Sequence, residues 1–376
     1  MMPRWLTAVV LAMVSVAAYG RGFGAPQVAG ERALADRVAG APAVPWTSPY
    51  IQTGADLWMA PALFWASAIT VKATASAASP RLLSIAFGAA DVALIYIMAL
   101  TLFGRASVAM IAALLLLFAP AHATFSRTAP IEGIWPVPFV LIWAAALTSF
   151  AENRTPSSRW SLAGGSAALM LAAALQPTAV ILVAVFGGVT LATAQRVGRL
   201  TLRDLWPAGL TAAVLALPIA RWSLAPGPDG VSFARWLILR AYVRNSQVAS
   251  LALSRFWEFF QPSHLFLNPE RPAFAGLFLA GMCVPTTLGA YSLFRSTGRE
   301  ASGGRLVVAA GCVAGPLAAA LCGPPTVDAR AISILPFGAL LAGYGAVIAW
   351  RSGLGRAVIL ASTSAILAQV WWLWYR

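Results

Sequence analysis

The chain carries 12 acidic side chains against 26 basic ones, so each acid can be weighed singly. Glu31 and Asp36 stand in the stretch Gly30-Glu31-Arg32-Ala33-Leu34-Ala35-Asp36-Arg37, where a carboxylate could serve as general base on an acceptor hydroxyl. The same stretch also reads as a solvated helix with glutamate and arginine paired locally. Glu132 lies five residues after Arg127 in Ser126-Arg127-Thr128-Ala129-Pro130-Ile131-Glu132. That spacing suits either an acid–base and phosphate-binding couple or a salt bridge that pins a turn. Arg240 and Arg244 are one helical turn apart on an apolar, aromatic stretch. They share a face, fit for phosphate oxygens or for snorkelling to lipid head groups. Asp328 and Arg330 offer the same two readings, and Asp56 and His264 complete the polar candidates. Asp91 falls inside an apolar run, where it needs a partner within the bundle or serves a proton or ion relay.

These groups require a scaffold, and the composition says which kind. Of the 376 residues, 60% are hydrophobic and only 10% charged, against roughly 25% charged in a soluble domain. So few ionised groups cannot cover a water-exposed surface, and the chain is a membrane protein. The net charge of +14 has its source in arginines flanking membrane spans, which excludes a nucleic-acid binder as the natural reading. Three cysteines without CxxC spacing and two histidines give no disulfide framework, zinc site or multi-histidine centre.

A helix needs about 20 apolar residues to cross the hydrocarbon. Candidate spans are 5–21, 82–103, 106–124, 133–150, 160–175, 178–195, 206–222, 272–294, 306–322, 331–350 and 357–375. Continuous apolar runs argue for helices rather than a barrel. The first run also fits a secretory signal peptide, but an uncleaved span gives the better charge pattern. With the N-terminus cytoplasmic, the inner connections hold Arg105, Arg154, Arg159, Arg196, Arg199, Arg203, Arg295, Arg299, Arg305, Arg351 and Arg356. The short outer ones hold only Arg127 and Arg330. Two long segments, 22–81 and 223–271, then fall outside. Their aromatics, among them Trp58, Trp65, Trp236 and Trp257, suit interfacial helices at head-group level. The expected fold is all-α: a polytopic transmembrane bundle of about eleven spans forming one integral-membrane domain over 1–376, roofed by interfacial helices in loop 22–81 and an amphipathic helix in loop 223–271.

Four stretches resemble the GT-C membrane glycosyltransferases, particularly the protein O-mannosyltransferase and aminoarabinose-transferase-like branch. Gly30 to Asp36 is similar to the acidic motif after the first span. Pro61-Ala62-Leu63-Phe64-Trp65 is similar to the proline–aromatic segment of the first outer loop. Arg81 to Arg105 followed by Ser126 to Glu132 resembles the second and third spans and the acidic turn beyond them. Phe260 to Phe266 and Asp328 to Pro336 resemble the late outer loop and the arginine that opens a late span. The sequence departs from the pattern where Gly30 replaces the first acid and Trp58 replaces a second one. With Arg376 following directly on an apolar run, the family's large C-terminal soluble domain is not expected here.

The resemblance implies inverting transfer of a sugar from a polyprenyl-phosphate donor to a lipid, glycan or protein acceptor on the outer side of the membrane, and the Ala- and Arg-rich composition suggests a bacterium and hence its plasma membrane. It implies Glu31 as base, or Asp56 in its place, and Glu132 as support for the acceptor or a divalent ion. Arg127, Arg240, Arg244, Arg330 and His264 would bind the lipid phosphate. No other cofactor and no nucleic acid is expected. Two other functions fit parts of the sequence: a lipid-linked-sugar binder or translocator that has lost catalysis, and a proton-coupled transporter built around Asp91.

Overall fold

The structure, a computed structural model, describes residues 3–21, 31, 34–36, 38, 51–52, 58–74, 76, 78–128, 134–153, 156–176, 179–196, 202–223, 248–268, 276–295, 302–322, 329 and 331–375. It is a bundle of α-helices with one two-stranded ladder. The helices are α1 (Arg4–Gly20), α2 (Pro61–Thr74), α3 (Arg81–Phe103), α4 (Ala106–Phe118), α5 (Pro120–Arg127), α6 (Pro136–Asn153), α7 (Pro156–Leu175) and α8 (Ala179–Arg196). They continue with α9 (Leu202–Ser223), α10 (Val248–Glu258), α11 (Pro262–Leu265), α12 (Cys283–Arg295), α13 (Ser302–Cys322), α14 (Leu335–Ala349) and α15 (Gly353–Tyr375). Strands β1 (Ile51–Gln52) and β2 (Trp58–Met59) pair antiparallel, with Ile51 opposite Met59.

The helix ends follow from local chemistry. Helix α3 stops at Gly104, which takes a left-handed φ of 63° and donates its N–H to the Leu100 carbonyl at 2.9 Å. A residue with a Cβ is disfavoured in that conformation, and glycine is not. The run expected to be one span over 106–124 is instead two helices. Pro120 cannot donate a backbone N–H and crowds the preceding turn, so α4 ends at Phe118 and α5 starts anew at a bend of 60°. The expected span over 272–294 also begins late: residues 276–279 are not helical, and a 3₁₀ turn at Ala280–Met282 leads into α12.

Four described helices are long and apolar enough to cross a membrane: Arg81–Phe103, Gly304–Leu321, Ile332–Ala349 and Gly353–Trp374. There are five if α4 and α5 count as one broken span. Helix α14 is the hub, buried along nearly its whole length against α4 and α12. Its contact with α12 is backbone to backbone, because a Cβ at Gly289 would overlap the Leu341 carbonyl, and one at Gly345 the Pro285 carbonyl. Helix α15 is the opposite case, exposing Leu360, Leu367 and Trp371. Such an apolar, outward-facing surface suits lipid.

A second, smaller cluster sits apart from the main core. Leu34 and Val38 pack with Ala60, Leu63, Phe64 and Ala68 of the α2 segment and with Trp135, against Leu83 and Phe87 of α3. Phe87 meets Trp135 edge-on at 4.5 Å between ring centroids. The segment after α1 is thereby folded onto the ends of α3 and α6, bringing Glu31 to the mouth of α3.

Candidate active site

Glu31, Leu34, Ala35 and Val38 are helical and buried, whereas Asp36 is exposed. The 3.6-residue period explains this: positions i, i+3, i+4 and i+7 share one face, and i+5 turns away. The buried face carries Glu31 under α2 to Arg81, the first residue of α3. Arg81 donates from Nε to Glu31 Oε1 at 2.9 Å and from Nη2 to Oε2 at 2.5 Å. Both side chains are nearly closed to solvent, at 3% and 2% exposure. This two-pronged geometry is the strong form of an ion pair. It also replaces the local glutamate–arginine pairing that the sequence allowed.

Arg81 was legible only as the start of a span. One signal did mark it. A cation at a helix N-terminus opposes the helix dipole, so an arginine there calls for a carboxylate from elsewhere.

A second polar cluster lies deeper along α3. Seven residues separate Arg81 from Gly88 and ten separate it from Asp91, about 10–15 Å at 1.5 Å per residue. Asp91, His122 and Tyr19 are all fully buried there. His122 Nε2 lies 3.3 Å from Asp91 Oδ2, and its Nδ1 lies 2.8 Å from the Tyr19 hydroxyl. The same hydroxyl donates to the Leu117 carbonyl at 3.2 Å. The bend before α5 takes Leu117 out of the regular i to i+4 ladder, so Tyr19 satisfies a carbonyl that the break leaves open. Gly88 makes room for this junction: a Cβ there would overlap Ser126 Oγ.

Arg127 ends α5. It donates from Nη2 to the Ala18 carbonyl of α1 at 3.2 Å, and its guanidinium lies 3.6 Å over the Trp374 ring of α15. A cation beside the last carbonyls of a helix is favourable, and stacking on tryptophan adds a cation–π term. Its Nε is buried with no hydrogen-bond partner among the described residues. Arg127 thus joins the C-terminal ends of three helices instead of the Glu31–Arg81 pair.

His264 belongs to α11, with its ring edge-on to Phe259 at 4.8 Å and its carbonyl accepting from Leu277 N at 3.3 Å. Glu132, Asp56, Arg240, Arg244 and Arg330 lie outside the described residues. Among those described, no three His, Cys, Asp or Glu side chains converge in a metal-binding group. Chemically, the arrangement offers a carboxylate oriented by a guanidinium at the mouth of a span, and a separate stacked guanidinium next to Ser126, which packs on Gly88 about two turns along α3.

The comparisons with known proteins bear on this layout. A family model described as dolichyl-phosphate-mannose-protein mannosyltransferase matches residues 41–227. Among solved structures, ArnT from Cupriavidus metallidurans in the apo state superposes with a TM-score of 0.56 at 15% identity, over 97% of this chain and 76% of that one. The same enzyme bound to undecaprenyl phosphate gives 0.57 at 12% identity, over 98% and 75%. A search of curated protein sequences finds no match. At such identities the structures show the fold alone, and the family model covers just under half of the chain. The chain is thus similar to the protein mannosyltransferase family over residues 41–227 and shares its fold with ArnT along nearly its whole length.

Proposed function

We propose that the protein transfers a sugar from a polyprenyl-phosphate donor to an acceptor hydroxyl at the outer face of the bacterial plasma membrane, inverting the anomeric carbon. The observation that carries this reading is the buried Glu31–Arg81 pair. An ionised carboxylate only accepts hydrogen bonds, and the Arg81 fork holds this one ionised and fixed in direction. A carboxylate so oriented can take the proton of an incoming hydroxyl, as a general base must.

In this reaction the acceptor hydroxyl donates to Glu31 while its oxygen attacks the anomeric carbon. The bond from that carbon to the phosphate oxygen breaks, and the leaving phosphate carries away the electron pair. Attack from the face opposite the leaving group inverts the centre. Cations near head-group depth stabilise the developing phosphate charge. Arg127, half-buried over Trp374, and His264 are the described candidates, and Arg240, Arg244 and Arg330 are the further ones. Glu132 would orient the acceptor or hold a divalent ion, and Asp56 is the alternative base.

The test is transfer by the purified chain in lipid nanodiscs, using labelled polyprenyl-phosphate sugars. Transfer that Glu31→Gln abolishes supports the reading; a folded protein that binds donor but transfers to no membrane or protein acceptor overturns it. That second outcome would favour a donor binder without catalysis. The same geometry gives it some support, since both Glu31 oxygens are already held by Arg81.

A further inference from the structure

Burying a carboxylate and an imidazole within a membrane bundle is costly. The Asp91–His122–Tyr19 chain is fully buried all the same, and the transfer chemistry leaves it without a task. Its position supplies one. It ties α3 to α5 through His122, α5 to α1 through Tyr19, and α1 to the α4 break through the Leu117 carbonyl. Arg127 lies five residues beyond His122 on α5 and donates to Ala18, the neighbour of Tyr19 on α1. Both ends of the Arg127 anchorage are therefore set by one hydrogen-bond chain.

We infer that Asp91, acting through His122 and Tyr19, positions the half-buried Arg127 guanidinium over Trp374, at the end of α5 where a lipid phosphate can reach it. Three observations meet here. The bend at Pro120 gives α5 freedom that an unbroken helix lacks, so something must fix its direction. The hydrogen-bond chain supplies that constraint at its middle. Packing around Gly88 leaves Ser126 no room to move toward α3, so α5 is held against α3 as well as α1. The ligand chemistry rests on the proposed function, but the positioning does not.

The experiment keeps the two apart. In the full chain with Cys283, Cys312 and Cys322 replaced by alanine, spin labels at Arg21→Cys and Thr128→Cys report the distance between α1 and the end of α5. Undecaprenyl phosphate titrated into nanodiscs, with inorganic phosphate as a parallel probe, reports the cation. Tyr19→Phe, which removes one hydroxyl, and Asp91→Leu should each broaden the distance distribution. They should also weaken undecaprenyl phosphate binding about tenfold, the loss of part of one charge-assisted hydrogen bond. Asp91→Asn, which keeps a polar partner for His122 Nε2, should leave both near wild type. Inorganic phosphate binding as tightly as the lipid would overturn the lipid assignment. Variants that only melt earlier, with distribution and affinity unchanged, would overturn the positioning role. A broadened distribution in a protein that never binds undecaprenyl phosphate would uphold the positioning and overturn the proposed function.

Discussion

At the scale of single residues, the Glu31–Arg81 pair makes the sharpest predictions. Removing one member of a buried ion pair strands the other charge and costs about 3–5 kcal/mol, whereas removing both can be nearly neutral. Arg81→Ala should therefore lower the thermal midpoint of the purified protein more than the double variant Glu31→Gln/Arg81→Gln does. Catalysis should separate from stability at the same site. Glu31→Gln keeps the shape and loses the base, so transfer per folded molecule should fall by about 10²–10⁴-fold, measured as initial rate on labelled donor and corrected for the stability lost by leaving Arg81 without its carboxylate. Arg81→Lys keeps the charge but loses the two-pronged geometry; its rate should fall between wild type and Glu31→Gln. The acid was legible in the sequence, because a carboxylate near an apolar run is rare enough to notice. Its partner, 50 residues away, was not, since nothing local fixes which arginine a folded-over segment will meet.

At the scale of elements, backbone chemistry decides where the bundle bends. Gly104 and Pro120 are punctuation any sequence reading can use, yet the run 106–124 reads as continuous because one proline does not always break a span. The tertiary contacts around it turn the break into a sharp change of direction, held by Tyr19 and Asp91. Close approach at Gly88 belongs to the same junction. Gly88→Ala should destabilise the protein by about 1–3 kcal/mol through overpacking, and Ser126→Gly should recover much of that loss in the double variant. Thermal unfolding in detergent checks this; a Gly88→Ala protein as stable as wild type would mean that α5 can shift freely.

At the scale of the whole molecule, the Arg127 stack brings the C-terminal ends of α1, α5 and α15 to one face of the bundle. The arginine asymmetry of the connections predicts that this shared face, with Arg21 and Tyr375, lies outside and Arg351 within. In the cysteine-free background, a membrane-impermeant maleimide applied to intact cells should label Arg21→Cys and leave Ser352→Cys unlabelled until lysis. The reverse pattern would invert the protein and move the proposed chemistry to the cytoplasmic side. Trp374→Ala should leave this labelling unchanged while loosening Arg127, seen as weaker undecaprenyl phosphate binding.

The sequence by itself determined what depends on composition and near neighbours. Too few charges for a water-exposed surface and apolar runs long enough to span are properties of contiguous residues, whereas the stretch around Glu31 read equally as a solvated helix until packing buried it. Tertiary structure alone decided the pairings that give the polar groups their roles: Glu31 with Arg81, His122 with Asp91 31 positions away, and Tyr19 with His122 103 positions away. The physical reason is that helix packing fixes which turns of distant helices face one another. In an apolar bundle a polar group must find its partner across that packing or go without.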